Sequence, residues 1–127
     1  MAAEPPFRLV PTNETRQLTV KVLEDLKRLH DARSSLLVLL YLPTDGELID
    51  DSTRPWREFI AVQSSALSIP LVDAFAAFEL LPTRVTSSLF IQEGEVNDPT
   101  APGHLSVKGN KLVAQLVYDE LKKHFLN

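Results

Sequence analysis

Apolar positions return at helical spacing soon after the chain begins. Leu18, Val22, Leu26 and Leu29 recur four and three residues apart with Leu23 beside them, while Lys21, Glu24, Lys27 and Arg28 take the other side. That pattern predicts an amphipathic helix of about five turns with its leucine stripe turned to the core. Thr12 or Asn13 starts it, because a short side-chain oxygen there accepts a backbone N–H that the first helical turn leaves free. Asp31-Ala-Arg-Ser-Ser breaks the period, and Leu36-Leu-Val-Leu-Leu-Tyr-Leu follows without alternation up to Pro43-Thr-Asp-Gly. An unalternating apolar run of this length predicts a buried, central strand over 36–42, as in a parallel sheet covered on both faces.

The next helix starts after Asp50, Asp51, Ser52 and Thr53, with Pro55 in its first turn and Trp56, Phe59, Ile60 and Leu67 as its buried face. Ile69-Pro-Leu-Val-Asp predicts a second, shorter strand beside the first, with its proline near the start, where a missing donor is tolerated. Asp73 then caps a turn over 74–81, and Leu89-Phe-Ile makes a third short apolar segment. A polar stretch over 92–106 contains Gly94, Pro99, Pro102 and Gly103, long enough to favour a functional loop. Ser106 caps a final helix that lines up Leu112, Val113, Leu116, Val117 and Leu121 and ends on Lys122, Lys123 and His124.

Residues 1–12, with Pro5, Pro6 and Pro11, read as an extended lead-in, leaving 13–127 as one α/β domain. The order of helices and short strands implies parallel crossovers and a sheet of about three strands with flanking helices. A sheet that small leaves an apolar edge unpaired. The expectation is therefore a missing N-terminal half, or self-association through that edge.

Composition narrows the function. The 127 residues are 44% hydrophobic and 24% charged, with a formal net charge of -4 and no basic face to neutralise a phosphate backbone, which argues against nucleic acid as a partner. The absence of cysteine removes disulfides, thiolate zinc sites and Cys nucleophiles. The longest apolar run falls far short of the ~20 residues of a membrane span, and the first residues lack the basic and apolar regions of a secretory leader. The three histidines are far apart, no His-Glu-x-x-His spacing occurs, and neither a metal nor a cofactor is expected. His30 and His124 lie near helix ends and need no function.

In an open α/β sheet the ligand site lies at the carboxyl ends of the strands, where the loops at 43–53, after Asp73, and at 92–106 converge. His104 stands in the last of these, immediately before a capped helix, well placed to take and return a proton. Without further context a loop histidine beside a serine cap also reads as a plain surface residue, and Asp98, heading an Asp-Pro turn, as a turn residue.

Gly103-His104-Leu105-Ser106, followed by Gly109-Asn110 and Leu112-Val113-Ala114, resembles the last block of the SGNH (GDSL) hydrolases, in which the catalytic histidine precedes the C-terminal helix. The strand ending in Leu42-Pro43-Thr44 and the segment Ile69-Pro-Leu-Val-Asp-Ala-Phe resemble the later half of the same fold. The resemblance implies a partial three-layer α/β/α, flavodoxin-like architecture and a serine esterase acting on a small-molecule, carbohydrate or lipid acyl ester. His104 would be its general base. The family's Gly-Asp-Ser nucleophile block is not present, and its acid position, two or three residues before the histidine, holds Pro102 and Ala101. Asp98 is the nearest acid before His104 and the candidate to orient it. The chain alone is expected to be inactive. The competing expectation is a non-catalytic α/β interaction module that keeps the frame and binds a partner through the sheet edge or the 92–106 loop. A phospho-receiver reading fails for want of an acidic pair after a first strand.

Overall fold

The computed structural model describes residues 11–126, so most of the 1–12 lead-in lies outside the described residues. Thr12 is extended, and its hydroxyl accepts from the Thr15 N–H at 3.1 Å to start α1 (Asn13–Ala32). β1 (Leu39–Tyr41) follows, then α2 (Glu47–Asp50), α3 (Arg54–Ala66) and β2 (Leu71–Asp73). After them come α4 (Ala74–Glu79), α5 (Thr83–Ser87) and α6 (Val107–Phe125). β1 and β2 form a two-stranded parallel sheet, giving a mixed α/β chain with flanking helices. The Leu39 N–H donates to the Pro70 carbonyl at 2.9 Å, so the proline contributes an acceptor at the start of β2, where it has no donor to give.

The chain divides into two compact units, residues 11–39 with 51–71 and residues 40–50 with 72–126, the division falling inside β1 and inside β2. In the first, Leu23, Phe59 and Ile69 are buried, Trp56 lies against Phe59 with ring centroids 5.6 Å apart, and the Arg16 guanidinium stands over the Phe59 ring at 5.2 Å. In the second, Ala74, Phe78, Leu89, Phe90 and Val113 form the core, with Leu112, Leu116 and Val117 of α6 packed on it.

Both helices that lead into strands end in the same way. Ser35 N–H donates to His30 O (3.0 Å) and Ser34 N–H to Asp31 O (3.2 Å); Ile69 N–H donates to Ser64 O (2.8 Å) and Ser68 N–H to Ser65 O (3.1 Å). These are paired Schellman closures, in which the residue past the helix turns left-handed. Here that residue is serine each time, with φ of 53° at Ser34 and 55° at Ser68.

Three expectations are corrected. The strand expected over 36–42 is only three residues long and is not buried: Leu36, Leu40 and Leu42 are 37%, 40% and 47% exposed. A run of leucines becomes a central strand only when neighbours flank it on both edges, and among the described residues β2 is the one strand paired with it. The third strand is absent from that sheet. Leu89–Ile91 instead makes one antiparallel bridge, Phe90 to Leu105. Finally, the α1 stripe is turned outward, with Leu18, Val22, Leu26 and Leu29 all exposed while Leu23 alone of the helix is buried.

Candidate functional site

His104 is held by its backbone. The Ile91 N–H donates to the His104 carbonyl at 2.8 Å, the Gly103 N–H donates to Ile91 O at 2.9 Å, and the Ser106 N–H donates to Leu89 O at 2.8 Å. These three bonds fasten 103–106 to 89–91 on either side of the imidazole. The Ser106 hydroxyl adds a fourth, donating to Ser88 O at 2.7 Å, and accepts from the Gly109 N–H at 3.1 Å to cap α6. Gly103 takes φ of +88°, a left-handed conformation that side chains with a Cβ rarely adopt. Gly109 is required by contact: a Cβ there would lie 2.1 Å from Leu89 O, so α6 presses its first turn against the segment that carries the clamp. His104 itself is exposed.

Asp98 is also exposed, and its carboxylate is occupied by its own turn. It accepts from the Thr100 N–H at 2.9 Å and from the Thr100 hydroxyl at 2.8 Å. The Thr100 backbone N–H, then its hydroxyl, hold the Asp98 carboxyl below its ordinary value, and the His104 charge adds a smaller push the same way. The two groups are thus near enough to share a field, but no hydrogen bond joins them among the described residues. Nor does any serine hydroxyl there bond to the His104 ring.

Two features of the surroundings go beyond the sequence expectations. Thr44-Asp-Gly-Glu47 is a capping box: the Glu47 carboxylate accepts from the Thr44 N–H and hydroxyl, each at 3.3 Å, and from the Tyr41 hydroxyl at 3.0 Å, while the Glu47 N–H donates to Thr44 Oγ1 at 3.4 Å. This starts α2 inside what reads as a plain loop, and it buries the Glu47 side chain. Its signal in the sequence is a threonine three residues before a glutamate. Second, a cleft of about 250 Å³ opens in the same unit between α2, α4, α5 and the 90–92 segment. Asp45 belongs to both places: it lines the cleft, and its carboxylate faces Gly103, 3.7 Å from where a Cβ would stand.

Among the described residues no three His, Cys, Asp or Glu side chains are grouped to hold a metal ion, and no helix is long and apolar enough to cross a membrane. Comparison with protein-family models, with curated proteins and with solved structures finds no match in any of the three.

Proposed function

We propose that this chain carries the histidine-bearing part of an SGNH-like ester hydrolase, with a three-layer, flavodoxin-like α/β/α frame completed by elements outside residues 11–126. The observation that carries the reading is the clamp on His104. Three backbone bonds fix the main chain on both sides of an exposed imidazole directly before a serine-capped helix, which is the placement a general base needs. The outward stripe of α1 supports the second half of the proposal, since a contiguous apolar face of this kind is ordinarily covered.

In the completed enzyme the supplied serine oxygen bonds to the acyl carbon as the imidazole takes its proton. The ester C–O bond then breaks, and that proton passes to the leaving alcohol; water repeats the sequence to free the acid. Asp98, spent on Thr100, has no bond to the ring and does not orient it. The same stripe of leucines favours a second reading, a non-catalytic module that docks a partner protein through α1.

One experiment separates them. The chain is fused behind the Gly-Asp-Ser half of an SGNH hydrolase, folding is verified by circular dichroism, and hydrolysis of p-nitrophenyl acetate is followed. The hydrolase reading expects turnover that His104→Ala lowers by at least about a hundredfold with little change in melting temperature. A folded fusion without turnover, or with turnover indifferent to His104→Ala, overturns it in favour of the module.

A further inference from the structure

The cleft beside the His104 loop has a chemistry of its own. Its accessible apolar lining is the half-buried Leu48 and Leu81 with the exposed Ile49; Phe90 borders it but is only 2% exposed. Asp45 and Glu79, both exposed, are among the residues lining it, Asp45 accepting one bond from the Gly46 N–H at 2.8 Å, and none of the lining residues is Lys, Arg or His. Among the described residues neither carboxylate is in an ion pair, whereas Asp25, Asp51 and Glu120 are each held by a basic side chain.

The polar wall points the same way. The Ser87 hydroxyl donates to Thr83 O at 3.0 Å, the Thr86 hydroxyl to Pro82 O at 3.2 Å, and Gln92 Nε2 to Ser87 O at 2.8 Å. These donors are engaged with backbone carbonyls, so what the groups keep to offer is lone pairs. Two carboxylates outside any ion pair, in a cleft that also has an apolar lining, make a potential that repels anions and concentrates cations. The volume lies below the roughly 300–1,000 Å³ of sites for drug-sized ligands, so the occupant is small.

We propose that this cleft binds a primary ammonium on a short hydrocarbon body, the chain resting on Leu48, Ile49 and Leu81 and the ammonium donating to Asp45 and Glu79. Three N–H donors suit a rim of acceptors. The proposal is independent of the hydrolase reading, because it involves no chemistry at His104.

The test is a titration of the isotope-labelled intact chain with n-pentylammonium chloride at low ionic strength, followed by amide shifts. Expected are saturable shifts confined to Leu48, Ile49, Leu81, Phe90, Gln92 and their neighbours. Neutral n-pentanol should bind at least about fivefold more weakly, and pentanoate should give no saturable shift there. Asp45→Asn and Glu79→Gln should each weaken binding about two- to fivefold, the range of an exposed charge pair. Equal binding of n-pentanol would show a merely apolar groove. Shifts centred elsewhere, or none that saturate by about 50 mM, would also overturn the proposal. The three probes on the unmodified chain decide the matter even if a variant fails to fold.

Discussion

Replacing Gly109 by alanine sets two well-understood effects against each other. In an open helical position the change stabilises, because glycine costs about 1 kcal/mol relative to alanine. Here the new methyl would meet Leu89 O at 2.1 Å, Leu89 C at 3.0 Å and the Leu105 Cδ2 at 3.1 Å. The first two are backbone atoms and cannot swing away, so α6 or the 89–91 segment must shift. Overpacking of this kind costs about 1–3 kcal/mol. Leu89 O is also the acceptor for the Ser106 N–H, and losing that bond adds about 1 kcal/mol. The net expectation for Gly109→Ala is a loss of about 1–3 kcal/mol, a fall of roughly 4–10 °C in melting temperature for a chain of this size. Thermal and urea unfolding by circular dichroism measure it, and faster amide exchange at Ile91, whose N–H bonds to His104 O, reports whether the clamp loosens. A melting temperature equal to or above that of the unmodified chain would refute the argument, since propensity alone would then have decided the outcome.

Ser34→Gly and Ser68→Gly should each raise stability by about 0.5–1 kcal/mol, because both serines hold left-handed backbone that glycine adopts without strain; a fall in the denaturation midpoint would contradict this. Stability should also fall on acidification. The carboxyls of Asp25, Asp51, Asp98 and Glu120 are all held below their ordinary values, near 3.8 for the aspartates and 4.5 for the glutamate, chiefly by hydrogen bonds from Lys21, Arg57, Thr100 and Lys123 respectively. Groups depressed in this way contribute stability above their unfolded values and lose it as the pH drops through the folded ones, so the melting temperature should hold from pH 7 to about 5 and decline below about 4. A melting temperature that rises between pH 5 and 3 would show the sign to be wrong.

Local chemistry was the legible part of this sequence. Thr12, Asp73 and Ser106 announce helix starts through side chains that bond only three residues ahead, and each makes that bond, to Thr15, Ala76 and Gly109. Thr53 is the exception: it precedes α3 but makes no capping bond, and its hydroxyl accepts from Arg57 at 2.8 Å instead. The clamp around His104 was not legible, because it joins backbone groups more than ten residues apart and leaves no periodic trace. Nor could periodicity say which way α1 faces. A stripe at helical spacing records that a helix has an apolar side; what covers that side depends on elements elsewhere, and in the described residues the burial falls on Leu23, at the stripe's margin. The leucine run at 36–42 misled for the same reason, since strand length is set by the partner, and β2 offers only three residues of pairing.

The bonds between Ile91, Gly103 and His104 also bear on how this chain can change over generations. They pin both ends of the stretch from Gln92 to Pro102 close together, independently of what lies between them. For a loop whose ends are already joined, closure entropy grows only with the logarithm of length, about 0.6 kcal/mol for each doubling. Insertions, deletions and wholesale exchange in that stretch are therefore cheap to accommodate, while the residues at its two ends are not free to drift. The surroundings of the imidazole can be rewritten from one descendant to the next with its anchorage left intact.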